Sequence, residues 1–407
     1  MSARGHWRTP AVVLACGCVV LCLAFGIRSG FGLFLQPMAL EYGWGRQVFS
    51  VSIAIQNLAW GVLGAVLGGL ADRYGSGRVI AGAALCYVFG LIGMSLVSTP
   101  WAMHLNSGIL IGTALGGTAF GIILAVIGRT VPPEKRSFAM GIATAAGSFG
   151  QFAVLPLTQY LITHYNWHVA LLALAGLAAL IIPLSAALAG KATAGVGGVT
   201  RNQTLFGALR EAAGEKGFHL IFWGYFVCGF HIAMLTVHLP SYVTDQGLKP
   251  EHGMTALALI GLSNIVGTLT AGWLGGRVSR KYLLSTIYTL RAFLIASLVF
   301  LPLTPASLYF FACGIGVLWL STVPLTNGLV GQIFGLRYAA LLGSVVFVGH
   351  QIGSFVGVWL AGYLYDTTGS YHGAFLCSIG LGIFAALVNL PVNEKPLLER
   401  KAAPAGA

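Results

Sequence analysis

Apolar residues in this chain come in runs of about 20 positions, separated by short polar stretches. At a rise of about 1.5 Å per residue, a helix of that length crosses a hydrocarbon core of ~30 Å. Twelve such runs can be drawn. They cover 12–38, 47–70, 79–98, 103–129, 138–163 and 168–189, then 218–243, 252–275, 282–302, 305–329, 339–365 and 372–392. The pattern predicts an all-α membrane protein with twelve transmembrane helices. The long connection at 190–217 is polar and glycine-rich at first, and Leu205–Ala213 reads as a short amphipathic helix. It divides the chain into an N-terminal six-helix bundle (1–189) and a C-terminal one (218–407), the arrangement of parallel transporter repeats. The first run follows Arg4 and Arg8 as a signal peptide would, but continues past Arg28 without a cleavage site, so it is expected to stay as the first helix.

Composition agrees. Hydrophobic residues make up 57% and charged residues only 8%, against about 25% charged in soluble domains. A soluble enzyme is thereby set aside. The net charge of +12 does not point to nucleic acid, because its distribution follows topology. Arg4, Arg8, Arg73, Arg78, Lys135, Arg136, Lys191, Arg201, Arg210, Lys216, Arg277, Arg280, Lys281, Arg337, Lys395, Arg400 and Lys401 fall on one side of the twelve runs, and only Arg46 and Lys249 on the other. That is a positive-inside signal, so both termini are expected in the cytoplasm, with a bacterial inner membrane as the expected location. Asn202-Gln203-Thr204 fits a glycosylation acceptor but falls in a cytoplasmic loop.

The seven cysteines include no C-x-x-C pair, and Cys228-Gly229-Phe230-His231 lacks the second ligand pair of a metal site. There is no P-loop, G-x-S-x-G elbow or H-E-x-x-H helix. No catalysis, metal or cofactor is expected.

Ionisable groups inside a membrane are costly and therefore candidates for function. Away from the span ends they are Arg28, His231, His238, Arg291 and His350; no Asp or Glu lies mid-span. A cavity with cations and no anions suits an anionic substrate. Arg28 lies about 24 Å along the first helix at 1.5 Å per residue. Its planar fork could clamp a carboxylate, or the side chain could snorkel to the outer interface. His350 and Gln351 interrupt an apolar run beside Gly349 and Gly353, and His350 could touch substrate or carry a proton. His231 is a further substrate candidate, and His238, near Pro240, reads as a gate residue. Gln56, Asn57, Gln151, Asn264 and Asn327 could complete the site or serve as interhelical hydrogen bonds. Trp60, Phe120, Phe149 and Phe230 could form apolar walls or simply pack.

The two halves carry an internal echo. Gly68-Gly69-Leu70-Ala71-Asp72-Arg73-Tyr74-Gly75-Ser76-Gly77-Arg78 follows the second run, and Gly272-Trp273-Leu274-Gly275-Gly276-Arg277 the eighth. The first resembles the signature loop of the major facilitator superfamily, G-x-L-a-D-R-x-G-x-x-R. The resemblance implies alternating access by rocking of two pseudo-symmetric halves. It also implies a charge cluster at Gly68, Asp72, Arg73, Gly75 and Arg78, with Arg277 in the second copy, that latches the halves in one state. Gly276 replaces the acid in the second copy, so a latch there should be weaker. In this superfamily the ninth helix usually lies outside the cavity, which implies a structural role for Arg291.

A narrower resemblance is to monocarboxylate porters and oxalate/formate-type antiporters. It rests on Arg136, Ala139, Gly141, Ala143, Ala145 and Gly150 in the fifth run, and on Gly30-Phe31-Gly32-Leu33-Phe34 with the turn Tyr42-Gly43-Trp44-Gly45-Arg46 after the first. It implies a small organic anion, in particular a monocarboxylate, moved with protons or by exchange through a monomer in the bilayer. Two departures matter. The helix 8 arginine of those porters is Thr268 here, and the helix 11 lysine of the antiporters is replaced in Gly349-His350-Gln351-Ile352-Gly353. The cation for a carboxylate must come from elsewhere. Efflux of hydrophobic or amphipathic compounds is the alternative, partly supported by Gly141, Gly147 and Gly150, although Ser148 stands where the exporter motif has proline. A membrane sensor is a third reading, disfavoured because no signalling domain follows Val392.

Overall fold

The computed structural model describes residues 7–118, 120–190, 205–335 and 339–402. Arg4, Lys191, Arg201, Asn202 and Arg337 lie outside the described residues.

Among the described residues, twelve helices are long and apolar enough to cross a membrane. They are α1 (Pro10–Ser29), α2 (Arg46–Tyr74), α3 (Ser76–Ser95), α4 (Pro100–Thr130), α5 (Ala139–His164), α6 (Trp167–Ser185), α7 (Lys216–Asp245), α8 (Pro250–Leu274), α9 (Arg280–Phe300), α10 (Pro305–Phe334), α11 (Leu341–Thr368) and α12 (His372–Asn389). Leu205–Ala213 is helical, as its pattern predicts. Spans α2, α7 and α11 run a few residues further than hydropathy suggests, which carries Arg46, Asp245 and Asp366 into helix ends. Alternation of the spans puts the ends of α1 and α12 nearest the termini on one face, called here the terminal face; the other is the far face.

Each half is built on close crossings permitted by glycine. A Cβ on Gly150 of α5 would overlap the Cys22 carbonyl of α1, and one on Gly353 of α11 would overlap the Phe226 carbonyl of α7. These are equivalent helices of the two halves, so one packing device recurs. In lipid no hydrophobic force draws apolar helices together, and such backbone approach supplies the van der Waals contact instead.

Two helix interruptions bear on the site. After Ser29 the backbone tightens, with Gly30 N donating to Ile27 O (3.2 Å) and Phe31 N to Arg28 O (3.2 Å), before a further helix at Gly32–Tyr42. The second break, at Trp319–Ser321, divides α10. Arg291 of α9 fills it: Nη2 donates to Leu318 O (2.6 Å) and to Trp319 O, and Nε to Leu318 O (3.2 Å). Carbonyls at a helix end have no partner within the helix, and a cation there is favoured by the dipole. Fully buried Arg291 thus has the structural role that its place in the ninth helix suggests.

Contacts between the halves begin at the far face. Gly32 packs on the Thr236 and Val237 backbone, Gly45 on Asp366 and Gly362 on Ser50. Gln151 Nε2 of α5 donates to Leu257 O of α8 (3.0 Å) and Asn264 Nδ2 to Ser148 Oγ (2.9 Å). Near the terminal face, Gly68, Gly69 and Gly272 have nothing within 4 Å of a built Cβ, and Val66, Leu269 and Trp273 are exposed. The halves therefore meet at the far face and part towards the terminal face.

Because overpacking a tight crossing costs about 1–3 kcal/mol, Gly150→Val should lower the melting temperature of the purified protein in detergent by several degrees. Gly82→Val, where a Cβ meets open space, should leave it within a degree; equal melting temperatures would refute the crossing as a stability determinant.

Candidate functional site

Arg28 is set at the last turn of α1, immediately before the tightened backbone. Its Nη2 donates to Asn57 Oδ1 of α2 at 3.0 Å, and its guanidinium carbon lies 4.8 Å from the Trp60 ring centroid. Its Nε is buried with no hydrogen-bond partner. Among the described residues no carboxylate pairs with it. It borders a gap lined by Phe31, Ile53, Gln56, Asn57, Ala233, Thr236 and Val237, drawn from both halves. The gap is about 10 Å³, room for roughly one water molecule. The cation thus faces a closed pocket between the halves.

Asn57 ties that pocket to α11. Gln351 Nε2 donates to Asn57 O (3.0 Å), and His350 Nδ1 donates to Gln351 Oε1 (3.0 Å). Phe347 stacks on His350, with centroids 5.5 Å apart, and meets Trp60 edge-on at 5.6 Å. Four of the residues singled out from sequence (Arg28, Asn57, His350 and Gln351) therefore form one network that crosses the interface.

The other candidates lie elsewhere. His231 was expected beside Arg28, but its Nε2 donates to Ser378 O of α12 (2.8 Å); it faces the α7–α12 seam because α7 turns its Gly229 face to α11. Gln151 and Asn264 serve the α5–α8 seam, and Asn264 Oδ1 also accepts from Leu320 N at the break in α10 (3.0 Å). Thr268, at the position of the missing arginine, donates to Asn264 Oδ1 (3.0 Å). Asn327 is exposed, with its amide against Gly343 of α11.

In the signature loop, Asp72 accepts from Arg129 Nη1 of α4 at 3.3 Å, a pair within one half. Gly75 turns the chain with φ 103°, a left-handed value that favours glycine. Arg73 lies over Tyr74 and Arg277 over Trp273. Gly68 meets nothing, and Arg78 lines a terminal-face cleft with Tyr74, Gly77 and Gly190. Among the described residues, the ion pair that joins the halves is at the opposite end.

That pair escaped the sequence analysis. Arg46, at the start of α2, makes a two-pronged bond with Asp245 at the end of α7: Nη1 to Oδ2 at 2.6 Å and Nη2 to Oδ1 at 2.7 Å. Nη1 also donates to the Tyr371 hydroxyl (2.9 Å), and Tyr365 lies under the guanidinium at 3.7 Å. Asp366 of α11 caps α2, accepting from the backbone N of Arg46 (2.9 Å) and Gln47 (2.8 Å). Burial pushes the Tyr371 phenol above its ordinary range, so it stays neutral. Tyr371 donates to His238 Nδ1 (3.1 Å), which places His238 beside this seal, as a gate residue should be. The available signal was an arginine opening the second helix and an acid near the far end of each of the seventh and eleventh.

Proteins similar to this chain are transporters. The chain is 24% identical over 383 residues to the uncharacterized MFS-type transporter YcxA of Bacillus subtilis (strain 168), covering 90% of this chain and 91% of that one. It is 28% identical over 376 residues to monocarboxylate transporter 13 of Bos taurus, covering 87% and 82%. Among solved structures, a bacterial homolog of the human lysosomal transporter Spinster, in an inward-facing and occupied conformation, matches with a TM-score of 0.76 at 13% identity over 98% of this chain and 100% of that one. The nucleoside transporter NupG matches with a TM-score of 0.72 at 15% identity over 93% and 99%. Residues 17–347 match the family model of the Major Facilitator Superfamily. This chain is therefore a multi-pass membrane transporter of that superfamily and not an enzyme.

Proposed function

We propose that this transporter carries a small organic monocarboxylate by alternating access, with Arg28 as the carboxylate clamp. The observation that carries the reading is a guanidinium with a spare buried donor, in a gap between the halves, with no acid paired to it. A planar fork binds two carboxylate oxygens at once, and Asn57 holds one prong in place. The monocarboxylate transporter relatives support the same class.

The excess of basic residues on the terminal face supports a cytoplasmic location for that face; in this reading the structure is the inward-opening state. The far-face seal at Arg46 holds it. Rocking to the other state parts Arg46 from Asp245 and brings the signature loops together, where Asp72, Arg73 and Arg78 latch with the C-terminal half. Importing one anion against a negative-inside potential costs about 2.3 kcal/mol per 100 mV. Co-transport of one proton, or exchange for another anion, cancels that charge. His350 is the titratable member of the Arg28 network and takes the proton in this scheme.

Three outcomes are expected. In liposomes containing purified protein, Arg28→Ala abolishes uptake of radiolabelled lactate, pyruvate or formate, and Arg28→Lys lowers it at least tenfold, because a point charge cannot replace the fork. Wild-type rates in both variants would sink the clamp. His350→Gln keeps anion exchange but loses stimulation by an inward proton gradient; retained stimulation would remove the histidine from the scheme. For the seal, spin labels at Leu40→Cys and Gln246→Cys on a cysteine-free background should give a longer-distance population when Asp245→Asn is added. An unchanged distance distribution would show that the ion pair does not hold the far face shut.

A further inference from the structure

One helical turn from Arg28 towards the terminal face, the site is walled by aromatic rings. Trp60 of α2 meets Phe25 of α1 edge-on at 5.9 Å and Phe347 of α11 edge-on at 5.6 Å. Phe25 lies 4.3 Å from Phe120 of α4. A Cβ on Gly147 of α5 would come within 3.0 Å of the Phe120 ring, so α5 has given up a side chain where that ring sits. The wall draws on both halves, and Trp60 also lies against the guanidinium of Arg28. The one other mid-span arginine, Arg291, gives Nε and Nη2 to the carbonyls of α10, away from this site. Arg28 therefore has a small gap with a polar edge (Gln56 and Asn57) beside it, and a cluster of aromatic rings that begins with Trp60.

We infer that the preferred substrate is an aryl monocarboxylate: a flat ring that sits between Trp60 and Phe347 while its carboxylate takes Arg28. This rests on the clamp reading above. The gap beside Arg28 holds no more than a water, so a larger substrate body must lie outside it, and the rings that begin with Trp60 stand against the same guanidinium. An incoming ring that separates Trp60 from Phe347 replaces one edge-to-face contact with two. Ring pairs attract beyond their buried area because positive edges meet negative faces. A saturated ring is also apolar but has no such quadrupole, and a short acid such as lactate has no ring to place between Trp60 and Phe347. A dicarboxylate would place its second charge against them.

Equilibrium binding to the purified full-length protein in detergent tests this without interference from passive permeation of weak acids. Dissociation constants for benzoate, cyclohexanecarboxylate and lactate are measured by titration calorimetry at neutral pH. Benzoate is expected to bind at least tenfold more tightly than cyclohexanecarboxylate, about 1.4 kcal/mol, and more tightly than lactate. Trp60→Leu should bring the ratio of the two ring acids below threefold; if that variant does not fold, Phe347→Leu serves the same purpose. Equal affinity for the two ring acids, tighter binding of the saturated one, tighter binding of lactate or no binding of benzoate overturns the inference. The clamp is judged separately. Arg28→Ala should weaken all three acids, and unchanged affinity there rejects the clamp whatever the ring preference.

Discussion

A guanidinium held among apolar helices with no carboxylate beside it is the constraint on which this structure turns. Such a group is costly in hydrocarbon and persists only where its donors are taken up or where a ligand is to take them. The chain contains both solutions. Arg291 spends Nε and Nη2 on the open end of α10 and keeps Nη1 without a partner, as Arg28 keeps Nε. The two differ in where they stand: Arg291 is set against a helix break within one half, whereas Arg28 borders a gap lined by both halves.

The rest of the architecture keeps that free donor between two bodies able to move. Gly150 on Cys22 and Gly353 on Phe226 weld each half internally through backbone contact. The joints between the halves are mixed: glycine contact at the far face, where Gly32 meets the Thr236 and Val237 backbone, the Arg46–Asp245 pair, and further in the amides Asn57, Gln151, Gln351 and Asn264 with the Trp60–Phe347 edge contact. An interhelical hydrogen bond in a membrane contributes about 0.6–2 kcal/mol, so the inner joints are individually weak.

Much of this was legible in the sequence. Run length predicted the twelve spans, and the repeated G-x-L-x-x-R core pointed to the two halves. The scarcity of mid-span charge made Arg28, Arg291 and His350 stand out. Other features were hidden for physical reasons. His231 and His350 look alike in sequence, since each interrupts an apolar run, and only the rotation of α7 and α11 about their axes turns one to α12 and the other to the centre. Arg46, Asp245 and Asp366 sit at span ends, where charges are ordinary. Nothing local says that three ends some 120 to 320 residues apart converge. Phe347 was one phenylalanine among 23 until its neighbours were known.

The far-face seal has a further consequence. Its bonds do not spread over a surface; they converge on Arg46 and its backbone, which engage Asp245, Tyr365, Asp366 and Tyr371 from three segments of the opposite half. Displacing the Arg46 side chain costs its bonds to Asp245 and Tyr371 and its place over Tyr365 together. Asp366, which holds the backbone nitrogens of Arg46 and Gln47, is lost only when the end of α2 itself moves. The far face is thus fastened twice over, once through a side chain and once through a helix end.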